Sequence, residues 1–463
     1  MRIRTLTAAG PEQGTGLKIQ FGKRDPTGGN FFSILVGENG TRKSQSLRAI
    51  LDLSYSSVAR VRQLGRIFEG KQGEIVYWSS RNSERSVLPT KIIAVSGVAT
   101  DRFPSRLTSR VRKPGRTDIY RYIGPRSENN LVSRAQSLLE IVRILIAHLD
   151  RVPDRLSELK SAFELLPFSK GCLFEFKRTD GETKGIWSAA SLLKHLRSTE
   201  PAKAGRFEEG DAALREQCLD LLNSKQTIRL TLDLDDIGSA GFSRKVSAAA
   251  LGFALECGAI SLDKSYLLTQ SGGQLSLSEF SSGQWHILSS LLFVSLAVED
   301  DTLILIDEPE NSLHPQWQRE YLNLFVKAIS SCDGVHVIVA THSPLVASSL
   351  PPDQAEVIRL GRTRFGNVVA KELAAGPFGW TTDDILEKVF GLRSTRSQLF
   401  VTEMDRALKL FAKGDRRNPT LVKLVRELAE FAKFLPEEDV ARSVIATLRS
   451  VVLSDDPDTK TAE

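Results

Sequence analysis

Four short stretches of this 463-residue chain hold residue types that could handle a phosphate ester. The first is Gly37, Glu38, Asn39, Gly40, Thr41, Arg42, Lys43 and Ser44, a turn that follows the apolar run Phe31 to Val36. Glycines in such a turn let backbone N–H groups converge on phosphate oxygens at a helix N-terminus. Lys43 is then placed to bridge the outer phosphates and the Ser44 hydroxyl to ligate magnesium. One residue departs from the pattern GxxxxGK[ST]: Arg42 stands where glycine is expected, and a side chain there strains the loop or alters how it closes on phosphate.

The second stretch is the apolar run Thr302 to Ile306, which ends in Asp307 and Glu308. A carboxylate at the end of a buried strand can hold magnesium, and its neighbour can orient or deprotonate an attacking water. Asp307 is assigned to the metal and Glu308 to the base. The third stretch, VHVIVATHSP, is another apolar run ending in His342, whose imidazole can hydrogen-bond a γ-phosphate or position the water. His336, inside the run, is read as structural. The fourth is FSSGQ, in which Ser282, Gly283 and Gln284 open a helix as a second anion site, a pattern that alone is usually just a cap.

These groups need a scaffold of buried strands and helices. Phe31 to Val36, Lys91 to Val98, Thr302 to Ile306 and Val335 to Ala340 read as short strands. Leu47, Ile50 and Leu51 start a helix directly after the first turn, and Arg134 to Val152 is the strongest helical pattern. Buried strands separated by helices predict an α/β fold with a doubly wound sheet. From Asp154 to Asp236 the pattern is mixed: a hairpin at CLFEFKRTDGETKGIW, charged helices, then the strand TIRLTLDL. The last 75 or so residues read as helical, with a frayed tail.

Composition sets the outer limits. The apolar share is 41% and the charged share 25%, ordinary for a globular chain. The net charge of +6 leaves room for an anionic partner without demanding one. Cys172, Cys218, Cys257 and Cys332 form no CxxC pair, which fits a reducing cytoplasm. The opening residues lack the apolar run of a secretory signal. The uncharged segment Phe280 to Val298 contains Gln284, His286 and several serines, so a buried helix is expected rather than a membrane span.

Taken in order, GENGTRKS, FSSGQ, LILIDEPENSLHP and ATHSP resemble the soluble ABC-type ATPases, which include the overcoming-lysogenization-defect family, chromosome-maintenance ATPases and several anti-phage defence ATPases. AVSGVATDRFP, YRYIGPR and ILEKVFGLRSTR are similar to the Septu-type defence ATPases. The resemblance implies an ABC-ATPase-like P-loop head that binds ATP and Mg2+. It implies a homodimer whose heads sandwich two ATP molecules, with Lys43, Ser44, Asp307, Glu308 and His342 acting in cis and Ser282 and Gly283 in trans. The expected layout is a head at 1–128 and 265–375, an inserted, mostly helical arm at 129–264, and a helical region at 376–463.

The resemblance further implies a sensor or regulator of a separate effector, expected to be a nuclease. The chain after Pro351 offers only scattered acids, so no nuclease is expected within it. The rival readings are a DNA-repair or chromosome-associated ATPase and a weakly hydrolysing scaffold. The basic stretch Arg102 to Arg126 fits either a DNA- or RNA-binding surface or a flank that pairs with acids of the same chain.

Overall fold

The computed structural model describes residues 2–9, 16–22, 29–59, 73–78, 88–105, 107, 119–126, 134–166, 169–179, 186–199, 212–224, 227–235, 241–242, 247–363, 367–374, 376–392 and 394–453. Its strands are β1 (Arg2–Ala9), β2 (Gly16–Gln20), β3 (Phe31–Val36), β4 (Gly73–Trp78), β5 (Ile92–Ser96), β6 (Tyr120–Ile123), β7 (Ser169–Arg178) and β8 (Ile228–Asp233). They continue as β9 (Gly241–Phe242), β10 (Ile260–Thr269), β11 (Gln274–Ser276), β12 (Leu303–Asp307), β13 (His336–Ala340), β14 (Ala355–Arg362) and β15 (Val368–Glu372).

The apolar runs read from the sequence form the middle of the largest sheet. Its order is β15-β14-β3-β13-β12-β5-β6. The pairings from β14 through to β6 are all parallel, and β15 closes one edge antiparallel. Every residue of β3, β5, β12 and β13 is buried, as parallel strands covered on both faces require. The helix Lys43–Ala59 packs on this sheet through Leu47, Ile50 and Leu51, all fully buried. The helix Ser282–Ala297 is buried along nearly its whole length. It is a core helix, and among the described residues no helix is long and apolar enough to cross a membrane.

Within 129–264 the helices Arg134–Ala147, Leu156–Ser161, Ala189–Thr199, Ala212–Asn223 and Ala248–Glu256 accompany β7, β8, β9 and the start of β10. The strands build a five-stranded antiparallel sheet, β11-β10-β7-β8-β9, so the arm carries more sheet than its charged, alanine-rich sequence suggests. The expected hairpin at CLFEFKRTDGETKGIW is not the pairing found. Both edges of β7 are taken, by β8 and β10, and residues 180–185 lie outside the described ones. Cys172, Cys218, Cys257 and Cys332 are all buried thiols.

Residues Met1–Trp380 form one compact unit and Thr381–Glu463 a second. The second contains the helices Thr382–Lys388, Gln398–Ala412, Pro419–Ala432 and Val440–Val452. Its core is Ala407, Leu421, Leu424, Val425, Leu428, Ile445, Leu448 and Val452. The frayed tail expected at the C-terminus, 454–463, lies outside the described residues.

A buried polar chain ties the small β2-β1-β4 sheet to the large one. The Ile3 N–H donates to His336 Nδ1 at 3.1 Å, which leaves the ring proton on Nε2, 2.9 Å from Ser33 Oγ. Ser33 donates to Glu356 Oε1 at 2.6 Å, and the Gly22 N–H reaches both carboxylate oxygens at 3.0 and 2.9 Å. His336 is therefore structural. Burial nevertheless pushes the Glu356 carboxyl up to about 7, with Glu372 adding to the rise and Ser33, Gly22 and Arg2 opposing it. A carboxyl raised in the folded state stabilises fully below its unfolded value and loses that contribution as pH rises to the folded one. The urea midpoint should therefore fall between pH 5 and pH 8, by a stability loss on the order of 2 kcal/mol from this group. Glu356→Gln, which mimics the protonated acid, should flatten that slope.

Candidate functional site

β3, β5, β12 and β13 run the same way, so their C-terminal ends share one edge of the sheet, the edge at which open α/β sheets bind ligands. The register aligns Asp307 with Ala340 and Ser96, and Ala340 with Leu35. Because β13 lies between β3 and β12, the turn carrying His342 emerges between the 37–44 loop and the Asp307–Glu308 pair.

The loop is held by its own hydrogen bonds. Thr41 Oγ1 donates to the Glu38 carbonyl at 2.8 Å, and Lys43 Nζ donates to the carbonyls of Gly37 at 2.7 Å and Glu38 at 3.2 Å. Arg42 adopts φ 68°, the left-handed conformation that a glycine takes at least cost. The departure noticed in the sequence is thus a real backbone strain. Arg362, which sequence reading passed over, props the loop from β14 by donating to the Gly40 carbonyl.

Lys43 and His342 meet at 3.3 Å, Nζ to Nδ1. Burial first, and then the Lys43 charge, lowers the His342 pKa to about 4, so the ring is neutral near pH 7. A neutral ring that accepts from Lys43 at Nδ1 carries its proton on Nε2, which lies 3.9 Å from Glu308 Oε1. Burial likewise lowers Lys43 to about 8, while Glu308, Glu310 and Asp307 pull it back up. The lysine sits among three acids and remains the local cation.

Ser44 Oγ donates to Asp307 Oδ1 at 2.9 Å. Burial pushes the Asp307 carboxyl up to about 7; Glu308, Asp101 and Glu310 push the same way and the Ser44 hydroxyl opposes them. A buried acid beside other acids calls for a counter-charge. Two adjacent hard oxygens, one hydroxyl and one carboxylate, also match how magnesium is held when phosphate oxygens and water complete its shell. The residues therefore fit that ion.

The segment after Asp307 is strained and tightly packed. Glu308 has φ 46° and Ser312 φ 66°. The Gly97 N–H donates to the Asp307 carbonyl at 3.1 Å, and Asn311 Nδ2 donates to the Gly97 carbonyl at 2.8 Å. A Cβ on Gly97 would meet the Glu308 carbonyl oxygen at 2.3 Å, so only a glycine just past β5 lets the Glu308 backbone lie this close. Gly97, Asn311 and Arg362 act across long sequence separations, and no local spacing marks them.

FSSGQ sits at the start of the helix Ser282–Ala297, with Ser281 as its N-cap. Ser281 Oγ accepts the Gln284 N–H at 3.2 Å, and the Ser281 N–H donates to Gln284 Oε1 at 2.9 Å. The residue at the mouth of the helix is thus Ser281, which sequence reading left out, followed by the exposed Ser282. Gln284 is engaged in the cap. Among the described residues none of Ser282, Gly283 and Gln284 bonds to Lys43, Asp307 or His342. Gly283 instead packs on the Asp307 side, where a Cβ would meet the Ser312 carbonyl oxygen at 2.4 Å.

Of the basic stretch, Arg106, Arg110, Arg112, Lys113 and Arg116 lie outside the described residues. Arg126 pairs with the buried Asp101, and Arg121 approaches Glu140 at 3.8 Å. For these two the intramolecular reading holds.

The strain at Arg42 has a measurable consequence. A left-handed L-residue costs roughly 1–2 kcal/mol, against roughly 0.5–1 kcal/mol of extra unfolded-state freedom for glycine. Arg42→Gly should keep ATP affinity within about threefold and leave stability within about 1 kcal/mol of the parent. Arg42→Val, whose β-branch resists that conformation, should weaken ATP binding at least about tenfold, as read by calorimetry.

Septu protein PtuA of Bacillus thuringiensis is 34% identical over 120 residues, which are 24% of this chain and 29% of that protein. The match thus spans less than a third of that relative. Among solved structures, an Smc head bound to the C-terminal winged-helix domain of ScpA is 13% identical, covering 80% of this chain and 98% of that one with a TM-score of 0.32. UvrA2 from Deinococcus radiodurans is 15% identical, covering 84% of this chain and 39% of that one with a TM-score of 0.29. The family described as "AAA domain, putative AbiEii toxin, Type IV TA system" matches residues 32–348, more than half of the chain. With a phosphate loop, an acid pair and a strand-end histidine gathered on one sheet edge, the chain belongs to this family of ABC-like P-loop ATPases.

Proposed function

We propose that the chain hydrolyses ATP between two copies of itself and that this turnover controls a separate effector, a nuclease, in bacterial anti-phage defence. The observation that carries the reading is the meeting of Lys43, Ser44, Asp307, Glu308 and His342 at one site. The N–H groups of Gly37, Asn39, Gly40, Arg42, Lys43 and Ser44 are available to the β- and γ-phosphates, while the Thr41 N–H closes the turn on the Glu38 carbonyl and Lys43 exchanges its loop carbonyls for phosphate oxygens. Ser44 and Asp307 hold magnesium, which when bound neutralises charge building on those oxygens.

Glu308 orients the attacking water and accepts its proton. His342, neutral and with its proton on Nε2, donates to the γ-phosphate from beside Glu308. The second copy presents the helix start at the exposed Ser281 and Ser282, with the buried Gly283 behind them, and its N–H groups and dipole suit an anion. Similarity to PtuA over 120 residues supports the defence role and the separate effector.

Glu308→Gln separates binding from chemistry. General-base assistance is typically worth about 10² to 10⁴ in rate, so the variant should keep ATP affinity within a few-fold while losing that much turnover. With ATP and magnesium it should also sediment as a dimer, because the closed state no longer resolves. Hydrolysis within a few-fold of the parent would remove Glu308 from the mechanism.

A further inference from the structure

Glu310 lies two residues beyond Glu308, and its carboxylate is spent on the turn that carries His342. Oε1 accepts the His342 backbone N–H at 2.5 Å, and Oε2 accepts the Thr341 hydroxyl at 2.8 Å. Thr341 Oγ1 in turn accepts the Ser343 N–H at 2.9 Å, and the Thr341 N–H donates to the Leu35 carbonyl at 3.1 Å, next to the phosphate loop. A second brace comes from the helix Pro315–Ala328, where Gln318 Oε1 accepts the Ser343 hydroxyl at 2.7 Å and Gln318 Nε2 donates to the Leu313 carbonyl at 3.0 Å. The backbone of His342 is therefore fixed from the same segment that bears Glu308.

We infer that Glu310 is a positioning residue: its two oxygens grip Thr341 and His342 so that the imidazole stands between Lys43 and Glu308. The inference rests on the proposed role of His342 in hydrolysis. Without the carboxylate, the buried Thr341 hydroxyl and the His342 N–H lose their acceptor. Hydrogen bonds to a charged acceptor are the strong ones, and an orphaned buried donor is costly, so the turn should relax away from its present path. Lys43 keeps its bonds to Gly37 and Glu38 in that event, which leaves the nucleotide cradle standing.

Position and charge can be told apart with two conservative variants. In Glu310→Gln the amide oxygen can keep the His342 N–H, while the contact with Thr341 is reversed: the amide nitrogen donates to Thr341 Oγ1, whose own proton loses its acceptor, so the grip on His342 survives and the one on Thr341 weakens. Glu310→Asp keeps the charge but is one methylene too short to reach both partners. Turnover should fall less than about fivefold in Glu310→Gln, about tenfold in Glu310→Asp and more in Glu310→Ala, with ATP affinity within about threefold in all three. Placed on His342→Ala, each substitution should add almost nothing, since residues that act through one another are not additive.

The opposite order, with aspartate active and glutamine not, would show that charge matters and overturn the inference. Losses that multiply in the double variants would do the same, as would parent-like turnover in both Glu310→Asp and Glu310→Ala. If His342→Ala itself hydrolyses ATP like the parent, the role of His342 fails and the inference falls with it. A full effect of His342→Ala with none from Glu310→Asp or Glu310→Ala overturns the inference alone.

Discussion

The hydrogen bond between Ser44 and Asp307 joins residues 263 positions apart, and the site depends on that closure. It exists because β3 and β12 are parallel and separated by a single strand, β13, with aligned C-terminal ends. Burial of β3, β12 and β13 on both faces makes a slip of register expensive, since it would expose an apolar strand edge or bury a charge. The hydrophobic sheet therefore does geometric work. It holds a hydroxyl, three carboxylates, an ammonium and an imidazole within reach of one another.

Gathering such groups has a free-energy cost, and the shifted ionisations show where it falls. Asp307 is pushed up and Lys43 and His342 down, in each case chiefly by burial. The left-handed backbones of Arg42, Glu308 and Ser312 place further strain in the same loops. Compensation comes from neighbouring elements: Arg362 on the Gly40 carbonyl, Gly97 and Asn311 around Glu308, Glu310 on the His342 turn. In the proposed function a magnesium triphosphate would answer the same imbalance from outside, with a divalent cation beside the acids and phosphates beside the lysine.

The parts of this arrangement that were legible in the sequence share one property: the signal is local. Phe31–Val36 ends at the phosphate loop, Leu303–Asp307 at the acid pair and His336–Ala340 two residues before His342, so an apolar run and the chemistry after it can be read together. The glycine missing at Arg42 was legible for the same reason. Gly97, Asn311, Glu310 and Arg362 were not, because each acts on a segment its own neighbours in sequence do not reveal. Ser281 was passed over because two adjacent serines look alike until the helix start decides which one caps. In the arm CLFEFK and TIRLTLDL read as strands and form β7 and β8, but their union with β10 does not show in the sequence, because β10 pairs with β7 across more than eighty residues and its burial alternates irregularly.

The most direct test of the account is an experimental structure with magnesium and a non-hydrolysable ATP analogue. The account predicts the β- and γ-phosphates cradled by the 37–44 loop, with Lys43 Nζ within hydrogen-bond distance of them. It also predicts magnesium about 2.0–2.1 Å from the Ser44 oxygen, with Asp307 beside it. A nucleotide seated elsewhere, or a magnesium ion that ignores both Ser44 and Asp307, would contradict it.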